Sequence, residues 1–201
     1  MNRFLQRAVS AVLGQYAVWR IFTVSARRSV ISNPDAASWP MRLRAVDRSL
    51  IEHCPDELLR EQAWYCGTGC EAFGCLDDST LVGLCFFWHG ERYNLGEFWP
   101  LSEREAMLMQ VVTSQRVRGR GVAGLLIPFA TAQMAERGFD RLVARVWHSN
   151  RPSWRAFAGA GWSQVATLVE IDPMRRGSPW RWVKRRRIAN GVVDAPSDRR
   201  D

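Results

Sequence analysis

Apolar residues along this chain recur with two periods, and the points where one gives way to the other outline a mixed fold. Met41–Val46 alternates as a short strand, and Asp47 stands where it can cap a helix over Arg48–His53. Pro55-Asp56-Glu57 opens a second helical segment running to Tyr65, with acids in the first turn as the helix dipole favours. Two apolar runs, Glu71–Leu76 and Leu81–Trp88, flank the turn-rich Asp77-Asp78-Ser79 and predict a hairpin. His89–Ser102, with Gly90, Gly96 and Pro100, reads as a loop. A strand over Ala106–Thr113 follows, then a helix over Gly124–Arg137 capped by Gly138, a strand over Arg141–Val146, a helix over Pro152–Ala158 and a strand over Trp162–Ile171. Pro128 conflicts with the first of those helices and predicts a kink or a later start.

The ends follow different patterns. Phe4, Leu5, Val9, Val12, Leu13, Tyr16 and Trp19 recur at three- and four-residue steps in an acid-free stretch, which predicts an amphipathic basic helix over residues 1–30. Such a helix could lie on a membrane surface, pack on the domain or a partner, or serve in targeting. Residues 31–40, with Asn-Pro and Trp-Pro, read as a linker, so a single domain is expected over 41–183. Residues 184–201 read as a disordered basic tail.

Charge sharpens this division. The chain of 201 residues carries a net +8, of which +5 falls in residues 1–30, −3 in 31–173 and +6 in 174–201. The middle is mildly acidic, which argues against a nucleic-acid-binding core and leaves the basic ends as candidates. Cys54, Cys66, Cys70, Cys75 and Cys85 are odd in number and lack paired zinc-site spacing, so no metal site is expected. They fit small apolar residues in a reducing cytoplasm. No run of 18 apolar residues marks a membrane span.

The candidate chemistry centres on Arg118-Gly119-Arg120-Gly121-Val122-Ala123, between a predicted strand and a predicted helix. Glycines let backbone N–H groups approach an anion closely, and a helix start adds unpaired N–H groups and a positive dipole end. The spacing is neither the dinucleotide fingerprint nor the nucleotide-hydrolase loop. About 30 residues further on stands Val146-Trp147-His148-Ser149-Asn150-Arg151-Pro152-Ser153, followed by Phe157 and Gly161-Trp162.

In their order and spacing these two segments resemble the GNAT superfamily of N-acetyltransferases. Its Gln/Arg-x-x-Gly-x-Gly/Ala signature holds the pyrophosphate of coenzyme A, and in its second motif Asn ends a strand. The resemblance implies an α/β fold: a mixed, mostly antiparallel sheet flanked by helices, in which the strand over Ala106–Thr113 splays from the strand over Arg141–Val146 at the cofactor site. It implies acetyl-CoA or another short acyl-CoA as donor and an unidentified amine, small molecule or peptide, as acceptor. The cofactor-binding residues would be Val112, Thr113, Arg118, Gly119, Arg120, Gly121, Val122, Ala123, Asn150, Ser153 and Phe157, with backbone N–H groups of Val112 and Thr113 receiving the thioester oxygen. Glu105, 13 residues before Arg118, stands where the histone-acetylating branch places its general base; Glu97 and Glu103 are reserves. The chain departs at Phe157, where the family usually has a Tyr that protonates the leaving sulfur. That departure keeps open a coenzyme A-binding module without turnover, and the basic ends keep open a nucleic-acid-associated protein.

Overall fold

The computed structural model describes residues 15–26, 41–94, 99–172 and 180–186. Eight strands form one sheet: β1 Gln15–Ser25, β2 Met41–Ala45, β3 Cys70–Asp77, β4 Thr80–Trp88, β5 Glu105–Thr113, β6 Arg141–Trp147, β7 Ser163–Asp172 and β8 Trp180–Arg185. Their spatial order is β2-β3-β4-β5-β6-β1-β7-β8, with only the β5–β6 pair parallel. The helices are α1 Arg48–Glu52, α2 Glu57–Arg60, α3 Gly90–Asn94, α4 Val122–Glu136 and α5 Arg151–Gly159. The predicted α/β class and mostly antiparallel sheet are what the chain forms.

Local chemistry explains the elements. The Asp47 side chain accepts from Leu50 N–H at 2.8 Å and caps α1. The β3–β4 hairpin closes at Asp78, held at φ 54°, a conformation Asp tolerates better than most residues. β4 is apolar almost throughout and buried on both faces, as an interior strand covered on two sides must be. α4 buries Val122, Leu126, Ile127, Ala130, Thr131 and Met134, a three- and four-residue stripe against the sheet. It continues unbroken past Pro128, whose missing N–H leaves the Gly124 carbonyl without its helical donor. Gly138, at φ 90°, ends the helix, with Phe139 N–H reaching back to Met134 O at 3.2 Å.

Three expectations need correction. The predicted N-terminal helix is, over Gln15–Ser25, the strand β1, inserted between β6 and β7. The helical template skipped Val18, Ile21, Phe22 and Val24, and this β-branched and aromatic content fits a pleated, buried surface. Ile21 is fully buried, so the domain begins before residue 41. The parts of that prediction on residues 1–14 and 27–30, and the linker at 31–40, lie outside the described residues. Lys184 and Arg185, assigned to a disordered tail, end β8 and pair with Thr167 and Ala166. His89–Ser102, expected as a loop, contains α3, and Trp99 within it is buried in the core. No described helix is long and apolar enough to cross a membrane.

If β1 completes the core, Ile21→Ala should cost about 2–5 kcal/mol of unfolding free energy in urea titrations, as other buried Ile-to-Ala truncations do. A loss below about 1 kcal/mol would place β1 outside the cooperative fold.

Candidate functional site

The turn between β5 and α4 is built to leave donors free. A single 3-10 turn, Gln115–Val117, leads into it, and the N–H groups of Arg118 and Arg120 are spent within the turn on Gln115 O and Val117 O, both at 3.2 Å. Gly119 and Gly121 lie at φ 80° and 78°, a left-handed conformation in which a side chain is strained. Gly121 is the N-cap of α4 and offers no side chain to its first turn. The N–H groups of Gly119, Gly121, Val122, Ala123 and Gly124 therefore have no acceptor among the described residues, beside the positive end of a 15-residue helix. A Cβ at Gly119 or Gly121 would meet no protein atom within 4 Å, so these glycines face open space.

A second set of donors comes from the parting of two strands. β5 pairs with β6 over four positions, Glu105↔Arg141 to Leu108↔Ala144, and then leaves it. At that point the β4–β5 register steps from Phe87↔Leu108 to Phe86↔Gln110, so Met109 is the extra residue of a bulge. Past the bulge, Ser114 N–H donates to Val82 O at 2.9 Å. Antiparallel hydrogen bonding alternates, so Val112 also bonds across to Leu84, while Val111 and Thr113 turn their backbone groups toward the vacated edge. Val111 thus replaces the expected Val112. The Val112 N–H is used by β4, and its side chain packs on the opposite face, against the cluster around Ile51 and Leu84.

α5 supplies the facing wall. The Asn150 side chain accepts from Ser153 N–H at 3.2 Å and caps the helix, with Pro152 in the first turn where its missing N–H costs nothing. Asn150 is therefore a capping residue that orients Ser153. Phe157 is buried, stacked on Phe22 with centroids 5.6 Å apart and edge-on to Trp162 at 5.0 Å.

These pieces enclose a cleft of about 720 Å³, lined by Val111, Thr113, Arg118, Gly119, Gly121, Val122, Ala123, Gly124, Ser153, Arg155 and Phe157 among others. The sequence-predicted Thr113, Arg118, Gly119, Gly121, Val122, Ala123, Ser153 and Phe157 meet there. Val112, Arg120 and Asn150 do not line it. Arg120 is exposed, with its N–H committed to the turn. Val111 and Arg155 were missed: Val111 shows itself only through the bulge, and Arg155 stands two residues from Ser153, off the face that Ser153 shares with Phe157, so helical spacing does not name it.

Glu105 stands apart. It begins β5, at the closed end of the strand pair, and its carboxylate lies 2.6 Å from Arg141 Nε and accepts from Arg141 Nη2 at 2.8 Å and from Ser102 N–H at 3.1 Å. Ala106 belongs to the core beneath α4 and Met107 to the opposite one, so Glu105 faces away from the cleft wall of α4 and α5. Both carboxylate oxygens are engaged. Of the reserves, Glu97 lies outside the described residues and Glu103 sits in the exposed turn before β5.

Comparisons with known proteins agree with this architecture. The family model described as "Acetyltransferase (GNAT) family" matches residues 39–162. A putative GNAT-family acetyltransferase from Novosphingobium aromaticivorans superposes with a TM-score of 0.57 at 18% identity, covering 79% of this chain and 64% of its own. The glucosamine N-acetyltransferase region of a fungal multi-domain beta-N-acetylglucosaminidase gives a TM-score of 0.59 at 11% identity, over 82% of this chain and 22% of that one. A conserved protein of unknown function from Staphylococcus epidermidis gives 0.54 at 10% identity, over 85% and 67%. The chain thus spans less than two thirds of the Novosphingobium protein. No curated relative matches the sequence. The matched stretch runs from β2 through α5 and holds both the turn at Gly119–Gly121 and the parted strands, and on that evidence the chain belongs to the GNAT family of acetyltransferases.

Proposed function

We propose that the protein is an N-acyltransferase that moves an acetyl or short acyl group from acyl-CoA to an amine. The observation that carries this reading is a single cleft joining the uncapped start of α4 to the parted edge of β5. The residues fit coenzyme A. Free N–H groups at Gly119 and Gly121–Gly124 suit a pyrophosphate, Arg118 and Arg155 add cations, and Val111, Thr113, Ile127 and Phe157 line a narrow, mostly apolar wall suited to a pantetheine arm. When bound, acyl-CoA supplies a thioester open to attack by an amine.

The protein's part is positioning and charge stabilisation. Val111 and Thr113 present preorganised N–H donors at the strand edge, where a carbonyl oxygen gaining negative charge is best stabilised. The amine would enter by way of the strand pair β5–β6, which parts beyond Leu108 and Ala144. Glu105 acts there as a positioning residue. Paired with Arg141 at the first rung of the parallel ladder, it anchors the closed end of the strand pair from which β5 and β6 diverge. Among the described residues no carboxylate or histidine lines the cleft, and we take the amine to lose its proton to solvent before it reaches the thioester. An alkylamine with pKa about 10 is then mostly protonated at neutral pH, and the rate follows the small free-base fraction. A second reading, coenzyme A binding without turnover, is favoured by Phe157, which offers the leaving sulfur no hydroxyl. Release of free thiol from acetyl-CoA across an amine panel separates the two.

Three outcomes are expected. Gly121→Val should lower coenzyme A affinity at least about 100-fold in calorimetry, because the added methyls project into the cleft while the αL strain costs only about 1–2 kcal/mol; a folded variant with wild-type affinity would refute the cradle. Glu105→Gln should lower the melting temperature, since about 1–3 kcal/mol is lost when Arg141 keeps a weaker partner, yet change kcat less than about tenfold and leave the pH–rate profile in place. A fall of about 100-fold or more in kcat with an altered acidic limb would instead make Glu105 the base. For the wild type, kcat/KM should keep rising from pH 7 toward the amine's own pKa; a plateau near pH 7 would reveal an enzyme base.

A further inference from the structure

The sheet has a second conspicuous surface, on its far edge from β2. Cross-strand neighbours share a face, and the registers of β1, β7 and β8 align three ranks of side chains: Tyr16, Ile171 and Trp180; Val18, Val169 and Trp182; Arg20, Thr167 and Lys184. This is the face opposite the cluster formed by Trp19, Ile21 and Leu168. Trp180 is 73% exposed and Trp182 60%, while Tyr16, Val18, Val169 and Ile171 are half-buried. α5 reaches this face at the third rank, where Trp154 stacks under the Arg20 guanidinium at 3.4 Å. In the first two ranks Trp180 and Trp182 are thus open to water beside half-buried apolar neighbours, with a basic rank at one end.

We propose that this face is an interfacial docking surface for an anionic lipid bilayer. Three observations favour that occupant. First, the sequence flanking these strands is basic: from Pro173 to Val193 it carries basic residues and no acid, and residues 1–14 hold Arg3 and Arg7 and no acid, while within the sheet the acid Glu170 is paired with Arg181. Basic side chains beside exposed tryptophans are the chemistry that anionic headgroups and the interfacial zone select. Second, three of the six residues of β8 are basic (Arg181, Lys184 and Arg185), so a second copy added at this edge would bring together strands of like charge. Third, apolar and charged ranks are segregated along the strands rather than interleaved. A nucleic-acid strand needs cations spaced among its stacking platforms, whereas a bilayer accepts an apolar end bordered by cations. The adjoining strand β1 is continuous with the wall of the cleft through Phe22 and Phe157, so docking would leave the cleft of α4 and α5 on the same side of the sheet as the membrane.

Flotation of the full chain with extruded vesicles tests this. Vesicles of phosphatidylcholine with about 30% phosphatidylglycerol should bind the protein at least about tenfold more tightly than phosphatidylcholine alone, and raising salt from about 0.1 M to about 1 M, which cuts the screening length from about 10 Å to about 3 Å, should release it. The exposed pair Trp180→Ser and Trp182→Ser should lower vesicle affinity at least about tenfold and abolish the blue shift of tryptophan emission on binding, while coenzyme A affinity stays at the wild-type value and certifies the fold. Equal binding to neutral and anionic vesicles overturns the proposal, as does a tryptophan variant that binds vesicles like the wild type. Tryptophan-dependent retention of single-stranded RNA, or a tryptophan-dependent dimer in sedimentation, with no vesicle binding would assign the face to another partner and equally overturn it.

Discussion

The parallel pairing of β5 with β6 stops after four residue pairs, and the cleft depends on that stop. Had the ladder continued to Thr113, the N–H groups of Val111 and Thr113 would be spent on β6 and α5 would have no gap to face. Two features end it. The bulge at Met109 turns β5 away, because a one-residue insertion changes which residues share a face and increases local twist. On the other side β6 continues with β1 as partner through Trp19↔Trp147, while β5 stays with β4, so the two halves of the sheet diverge. The ion pair of Glu105 with Arg141 anchors the closed end of the strand pair, three rungs before the strands part.

Placing the anion cradle beside that gap needs no further device. Ser114 is still tied to Val82, so the chain leaves the ladder only then, turns through Gln115–Val117 and starts α4 with its first-turn N–H groups unspent. The core beneath α4 fixes the helix axis through Leu126, Ile127, Ala130 and Met134, all close to fully buried. Its buried hydroxyl, Thr131, is satisfied by Ile127 O at 2.8 Å and takes the Trp162 indole N–H at 3.3 Å. Donors at a well-packed helix start are preorganised and lose little entropy on meeting an anion.

Much of this is legible in the sequence, for identifiable reasons. Asp47, the Asp77–Ser79 turn, the Gly119 and Gly121 pair and Asn150 carry local chemistry that acts within a few residues, and each element they punctuate forms where expected. What was not legible is long-range. β1 reads as an amphipathic helix because three- and four-residue steps can be found in almost any apolar-rich stretch, and only its partners β6 and β7, more than 100 residues away, make it a strand. Likewise the choice of Val111 over Val112 turns on a bulge defined by β4, and the fate of Glu105 on Arg141, 36 residues further along. A residue's place in a family motif says where it stands on the chain, while its freedom to react depends on neighbours that the motif does not contain.

The central claim, that unspent backbone donors at the end of β5 and the start of α4 receive the donor's phosphate and acyl-arm oxygens, can be tested one amide at a time. Titrating isotope-labelled protein with coenzyme A and following backbone N–H resonances should produce the largest shifts at Val111, Thr113, Gly119 and Gly121–Gly124, with Val112 and Arg120 moving less because their N–H groups already have partners. Saturating coenzyme A that leaves those amides unmoved, or that shifts Val112 and Arg120 as strongly as their neighbours, would contradict the account.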